Sequence, residues 1–537
     1  FDKFYQKINR IKSQKAQLDA NIQNKEDAQK LEEIKNKINN LYLDCNGLIY
    51  DALNNVKFNN KNQYEDDILN MICKKIDFYI DTIGPDKRVY IAFDGTAPVA
   101  KLNQQKNRRY KSWFQDQIYN SFDSTLSNKL WNQAAITPGT EFMDKLHNKI
   151  TSYFNNRDNK TIDIIISTAK ETGEGEHKIY QYIRENPEYH KTSSTVIYGL
   201  DADLIMLTLN HLSYSNQLYL FRETPYFIKN IDDTLVENSN YLLDIPEFRD
   251  KLICDMINQS DINNLSDNIK TNIINDYVFL CFFLGNDFMP HFPILNIRTQ
   301  GIDILLNIYN KVNNNLNNFF VNNKGINWNQ VRKMVEILAR NEETLLKEEY
   351  KNRKKLELKK NNRQSEMDKF MNIPIYNRKS ELFINPYEDG WQYRYYKVLF
   401  DIEVDDDRKK QICVNYLSIL EWNYYYYNNK CIDWRFKYEY NYPPLFQDLI
   451  KYIPYFETRF LTEKEYNPIS ENVQLAYVLP RDSLNLIPKI NIDALIKKFN
   501  EYYKLDYDFE WAFCRYFWEC HVKIPELDIK LLEKILT

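Results

Sequence analysis

No run of eighteen apolar residues occurs in this 537-residue chain, so no segment reads as a membrane-spanning helix. The N-terminus is amphipathic and charged and lacks the hydrophobic region of a signal peptide. The 8 cysteines are scattered and never form a C-x-x-C pair, Cys514 and Cys520 being the nearest two. With 6 dispersed histidines, this argues against structural zinc and for an intracellular, reduced protein. A net charge of −4 provides no global basic field, so any nucleic acid must be met by local clusters. Glycine and proline number only 11 and 17.

What is abundant is aromatic and helical. Tyrosine and phenylalanine number 41 and 30, ample for large cores, and the length implies two or three domains. LYLD (41–44), VYIAFD (89–94), IDIIIST (162–168), TVIYGLD (195–201) and QLYLFR (217–222) read as short buried strands. Helical patterns separate them, notably at 61–83 and 174–184. The expected fold is α/β, a mostly parallel sheet flanked by helices, followed by a helical, aromatic-rich second region. The expected domains are an α/β core at 1–345 with a charged helical insertion at 6–38, a charged linker at 346–380, and a region at 381–537 packing on the core. No internal repeat is evident.

Ligands of open α/β sheets bind off the carboxyl ends of the strands. Three of the expected strands end there in aspartate: Asp44, Asp94 and Asp201. Asp203 follows, and on extended chain it projects to the same side as Asp201. The TGEGEHK segment adds Glu174 and Glu176, and an apolar helix, VFLCFFLG, runs into Asn286 and Asp287. Each acid alone has a structural reading. Asp44 and Asp94 could cap the helices after their strands, and Glu174 and Glu176 could favour a helix N-terminus. Together, such acids in one crevice repel unless cations neutralise them. Hard oxygen ligands without nearby His or Cys suggest Mg²⁺ or Mn²⁺, and the usual work of such a cluster is two-metal phosphodiester hydrolysis. Glycine is concentrated beside these turns, at Gly47, Gly95, Gly139, Gly173, Gly175, Gly199 and Gly285, where backbone must turn tightly or approach a ligand.

Just after Asp94, the stretch 97–114 reads as a basic helix. Lys101, Gln105, Arg108 and Arg109 share one of its faces and look like a pocket for a terminal phosphate, against the alternative of a solvated helix face.

The segments LYLDCNGLIY, YIAFDGTAPVAKLNQQKNRRY, ITPGTEFM, GEGEHKI, IYGLDADLIML and CFFLGNDFMPH resemble the conserved blocks of the Xrn 5′→3′ exoribonucleases. The likeness continues in GWQYRYYKVLFD, EWNYYYYNNKCIDWRFKYEYNYPP and VQLAYVLPRDS, covering most of 41–537. It implies processive 5′→3′ hydrolysis of 5′-monophosphorylated single-stranded RNA to mononucleotides, in RNA decay, with two Mg²⁺ (or Mn²⁺) ions. By the same resemblance the metal-site acids are Asp44, Asp94, Glu174, Glu176, Asp201, Asp203 and Asp287, and the 5′-phosphate pocket is Lys101, Gln105, Arg108 and Arg109. Tyr50 stands where the family usually has a base-stacking histidine, and Trp434, with Phe436 as the alternative, is its aromatic partner. The further expectation is a monomer in the cytoplasm, with the nucleus as the alternative compartment and a decapping enzyme as partner. The family's usual opening is represented only by FDKFYQK, and its large accessory domains are absent, which reads as a short, core-only member. The bias to Asn, Lys, Ile and Tyr fits an AT-rich coding sequence, such as that of a large DNA virus (hence a viral factory or virion) or of an AT-rich protist. The competing readings are a structure-specific 5′ nuclease or flap endonuclease on DNA, and a non-catalytic RNA-binding protein. Digestion of matched RNA and DNA with and without Mg²⁺ separates all three.

Overall fold

The computed structural model describes residues 16–17, 38–122, 131–157, 162–223, 240–259, 261–313, 316–322, 324–359, 365–401, 403, 405–464 and 467–536. Most of the 6–38 insertion and the FDKFYQK opening lie outside the described residues. The chain forms two compact units, each discontinuous in sequence. The first comprises Phe1–Ala97, Ala135–Val278 and Tyr426–Lys430; the second comprises Pro98–Ala134, Phe279–Tyr425 and Cys431–Thr537.

The first unit is built on a sheet of β1 (Ala16–Gln17), β2 (Asn40–Asp44), β3 (Arg88–Ala92), β4 (Asp163–Ser167), β5 (Thr195–Tyr198), β6 (Leu218–Glu223) and β7 (Asn240–Asp244). Their order is β1-β7-β6-β5-β2-β3-β4. Strands β4, β3, β2, β5 and β6 are parallel, while β7 runs antiparallel to β6 and β1 antiparallel to β7. Leu41, Tyr42 and Leu43 are all buried, as are Val89 to Ala92 and Val196 to Tyr198. Burial at successive positions is the mark of strands covered on both faces. This is the mostly parallel, helix-flanked sheet that the alternating pattern implies.

Two details differ from the expectation. The strands stop at Ala92 and Tyr198, so Asp94 and Asp201 stand on the loops that follow. Strand β7, NYLLD, is an addition that the apolar pattern did not disclose; it pairs antiparallel with β6.

The helices used below are α1 (Asn46–Asn55), α2 (Lys61–Ile83), α3 (Val99–Phe122), α4 (Gly175–Glu185), α5 (Asp203–Asn210), α6 (Trp328–Leu358) and α7 (Asp406–Asn428). Helix α2 coincides with the helical rhythm at 61–83. Asn60 starts it, accepting from the Gln63 amide at 3.1 Å, and Gly84 stops it at φ 65°. Between β2 and β5 the sheet has its switch point. The chain adds β3 and β4 on one side of β2, then returns to place β5 on the other. Such a reversal opens a crevice at the carboxyl ends of the strands, and Asp44 is the last residue of β2.

The second unit is mainly helical, with aromatic side chains joining its elements. Phe292, for example, stacks on Phe446 at 3.8 Å and meets Tyr416 edge-on at 5.0 Å. The stretch 346–380 differs from the charged linker expected there. Its start is the second half of α6, whose Leu346, Glu349, Tyr350 and Arg353 are buried, and short helices Glu366–Met371 and Ile373–Tyr376 follow. The charges are paired internally: Arg353 donates to both oxygens of Glu381, at 2.8 and 2.6 Å, and Arg378 Nε adds a third bond at 2.6 Å. Composition alone does not distinguish such buried pairs from a solvated run.

Candidate active site

Six of the seven acids singled out above belong to the first unit, and the geometry around each is specific. Asp44 ends β2 with its Oδ1 buried and without a hydrogen-bond partner. Burial, followed by the negative charges of Asp94 and Asp201, raises its carboxyl well above the usual range, with Glu174 adding to the effect. Asp94 is fixed by its neighbours. It accepts from the Asn46 side chain and, at 2.7 Å, from the Gly175 amide, while its own amide donates to Asn46 Oδ1 at 3.0 Å. A Cβ at Gly175 would lie 2.6 Å from Asp44 Oδ1, so any other residue there would displace the Asp44 carboxylate.

Glu174 and Glu176, both buried, open α4. Their ligand atoms and one from His177 lie within 4.8 Å of one another. The sequence reading assumed no histidine near the acids, and His177 corrects it. The ring follows Glu176 on the same helix, with Nε2 3.9 Å from Glu176 Oε1, and it stacks on Tyr426 at 3.8 Å. Asp203 is not on extended chain after Asp201; it is the first residue of α5, which begins directly after the β5 loop. Asp201 is exposed and acts on Asp44 through its charge.

Capping does not account for the cluster. Helix α1 has Cys45 at its N-cap with no side-chain bond, and Glu174 stands at the N-cap of α4 likewise without one. Asp94 serves a helix start through the Gly175 amide, and a backbone hydrogen bond from Asn46 at the start of α1 partly offsets the rise at Asp44. The cation nearest in chain order is Lys178, whose ammonium donates to the carbonyls of Phe93 and Thr168 at 2.8 and 2.7 Å. Burial lowers its pKa to about 8 even though Asp94, Glu171 and Asp44 oppose the shift. Lys178 thus ties together the ends of β3 and β4.

Two further groups were not foreseen. Tyr426 donates to Glu174 Oε1 at 2.7 Å and Tyr427 to Asp203 Oδ2 at 2.9 Å. Only their place in the EWNYYYYNNK segment marked them, and a run of four tyrosines does not say which of them meets a carboxylate. Tyr50, on α1 of this unit, is 40% exposed.

The seventh acid, Asp287, belongs to the second unit together with the basic helix. Lys101 donates to its Oδ2 at 2.8 Å and Gln104 to its Oδ1 at 3.3 Å. Burial alone would raise the Asp287 carboxyl, but Lys101, by charge and hydrogen bond, and Arg108 outweigh it and hold it below the ordinary value. Gln105 and Arg109 are half-buried and Arg108 is exposed on the same helix; Gln105 Oε1 is buried with no hydrogen-bond partner. The Trp434 carbonyl accepts from the Val99 amide at 2.9 Å, which sets Trp434, half-buried, beside the start of α3. Phe436 is half-buried two residues on.

The donor set of the first unit suits a hard divalent cation. It is dominated by carboxylate oxygens, and one of these is buried without a proton donor to satisfy it, a state that a cation relieves. Among the described residues no helix is long and apolar enough to cross a membrane, and the 8 cysteines are free thiols.

Comparison with known proteins gives the family. The family model for the XRN 5′-3′ exonuclease N-terminus matches residues 2–224, and that for the Xrn1 helical domain matches 268–385 and 378–537. The 5′-3′ exoribonuclease 2 homolog of Drosophila melanogaster is 27% identical over 93% of this chain and 66% of its own length. The 5′-3′ exoribonuclease 2 of Arabidopsis thaliana is 26% identical over 92% of this chain and 62% of its own. That of Saccharomyces cerevisiae is 32% identical over 58% of this chain and 35% of its own. The chain therefore spans less than two thirds of each of these relatives. With both models matched in order and the helical-domain model alone spanning half of the residues, the chain belongs to the Xrn 5′-3′ exonuclease family.

Proposed function

We propose that this chain is a 5′→3′ exoribonuclease that hydrolyses 5′-monophosphorylated single-stranded RNA processively to mononucleotides, with two bound Mg²⁺ or Mn²⁺ ions. The observation that carries this reading is Asp44, one of whose carboxylate oxygens is buried without a hydrogen-bond donor, under the charges of Asp94, Asp201 and Glu174 at the switch point of a parallel sheet. Such repulsion is tolerated where a cation is to be held. Asp44, Asp94, Glu174, Glu176, Asp201 and Asp203 would hold the ions, with Asp287 as the seventh ligand. Bound divalent ions supply the Lewis acidity that phosphodiester hydrolysis requires.

The chain's own residues do the rest. Asn46 and the Gly175 amide keep Asp94 in one orientation, and Lys178 fixes the loops that carry the acids. Lys101, Gln105, Arg108 and Arg109 present charge and amide groups to a terminal phosphate, a compact dianion suited to bidentate guanidinium contacts. Tyr50 and Trp434 offer ring faces to the first base. A decapping activity is the kind of partner that would supply monophosphate ends.

The test is single-turnover decay of 3′-labelled RNAs that differ only at the 5′ group. Monophosphorylated RNA is expected to decay fast, hydroxyl-ended RNA slowly, and capped or triphosphorylated RNA hardly at all. Arg108→Ala should narrow the gap between the first two by slowing the monophosphate substrate. Equal rates on all four ends, or cleavage of circular RNA as fast as linear, would overturn the proposal.

A further inference from the structure

Tyr426 and Tyr427 close α7 and belong to the first unit, unlike the preceding residues of that helix. Both rings are buried, at 4% and 1% exposure, and each phenol finds a carboxylate: Glu174 at 2.7 Å and Asp203 at 2.9 Å. The two acids stand at the starts of different helices. Glu174 follows β4, and Asp203 follows β5 on the other side of β2. Adjacent residues of a helix diverge by about 100°, which lets neighbouring tyrosines serve two separate acids. The Tyr426 ring is itself held, with His177 stacked on it at 3.8 Å and an interplanar angle of 27°. The same His177 meets Tyr427 edge-on at 6.2 Å.

A carboxylate that accepts a hydrogen bond on one oxygen is restricted in rotation, and its other oxygen is directed elsewhere. We infer that Tyr426 and Tyr427 are positioning residues for metal binding, each fixing one carboxylate so that Glu174 and Asp203 present their remaining oxygens to a divalent cation at a set spacing. This inference rests on the metal-dependent reading above. Removing such outer partners typically weakens metal affinity or activity 10- to 100-fold.

The experiment uses the full chain and reads Mn²⁺ binding by electron paramagnetic resonance and, separately, the Mg²⁺ dependence of decay of monophosphorylated RNA. Tyr426→Phe and Tyr427→Phe keep the rings and delete only the hydroxyls. Tyr424→Phe is the control, since the Tyr424 hydroxyl donates to a backbone carbonyl, that of Asn322, at 3.3 Å. Each test variant is expected to weaken Mn²⁺ binding by about 10-fold and the double variant by about 100-fold. The Mg²⁺ concentration for half-maximal rate should rise in parallel, with KM for RNA unchanged, and Tyr424→Phe should match the wild type. Thermal midpoints in chelator verify folding; if Tyr427→Phe fails to fold, Tyr426→Phe carries the test. Unchanged Mn²⁺ affinity in the folded test variants would overturn the inference and leave the exonuclease reading standing. So would a loss expressed only as a higher KM for RNA. If the wild-type chain itself bound no Mn²⁺, the metal reading would fall first, and this inference with it.

Discussion

In the second unit the buried carboxylate of Glu381 has both oxygens satisfied from within the chain, by Arg353, by Arg378 and by the Phe513 amide at 3.0 Å. In the first unit Asp44 has a buried oxygen with no donor and three further acids acting on it. Both arrangements keep carboxylates from water, at a cost in free energy. One recovers that cost in the fold; the other leaves it for something not encoded in the chain. The contrast separates a charge that serves stability from one that serves a ligand, and it can be tested from both sides.

The largest effect is expected in the first unit. Asp201→Ala should lower RNA hydrolysis by about a thousandfold, equivalent to ~4 kcal/mol, with little change in the chelator melting temperature because Asp201 is exposed. Activity within a few-fold of wild type at matched Mg²⁺ would remove Asp201 from the ligand set. Next comes the opposite signature in the second unit. Arg353→Met leaves Glu381 buried beside a single remaining guanidinium and should cost about 3–5 kcal/mol of stability, read from urea unfolding. The residual folded protein should keep the Mg²⁺ dependence proposed for it, and a shift in that dependence would show that the Glu381 cluster and the acids of the first unit are not independent.

A third effect concerns stacking. Tyr50→Ala should weaken activity by about 1–3 kcal/mol, while Tyr50→Phe should be mild, as single-turnover kinetics would show. Equal losses in the two would transfer the role to the hydroxyl. The smallest effect is one of pH. The Asp44 carboxyl is raised above its unfolded value of 3.8, so its contribution to stability is present in acid and is lost as pH rises through the raised value. In chelator, wild-type stability should therefore fall as the pH leaves the ordinary carboxylate range, and Asp44→Asn should flatten that slope. A slope identical in both proteins would show that Asp44 is not the group responsible.

Much of this was legible in the residues. The strand that ends in Asp44, the strand just before Asp94 and the α2 helix follow from short apolar runs and helical periodicity, and the family from the blocks around them. What escaped has physical reasons. The pairing of Arg353 with Glu381 joins residues 28 apart, so the charged stretch around Arg353 looked solvated. His177 adjoins Glu176 in the chain, but only the turn of α4 brings its ring to the acids. The link from Tyr426 to Glu174 spans 252 positions, beyond the reach of any local pattern. The bond between Lys101 and Asp287, 186 positions apart, is hidden for the same reason: no local pattern joins a basic helix to an acid so distant in the chain.

The interleaving of the units has a consequence for inheritance. The two family modules meet in the chain between residues 224 and 268, yet Glu174 and Asp203 of the first are bonded by Tyr426 and Tyr427 of the second, and Asp287 of the second by Lys101 and Gln104 of the first. A recombination point in that gap would separate all three acids from the side chains that orient them. Chimaeras between distant relatives joined there should fold poorly or bind metal weakly, whereas exchange of both modules together preserves every partnership. Genes of this kind should therefore travel whole.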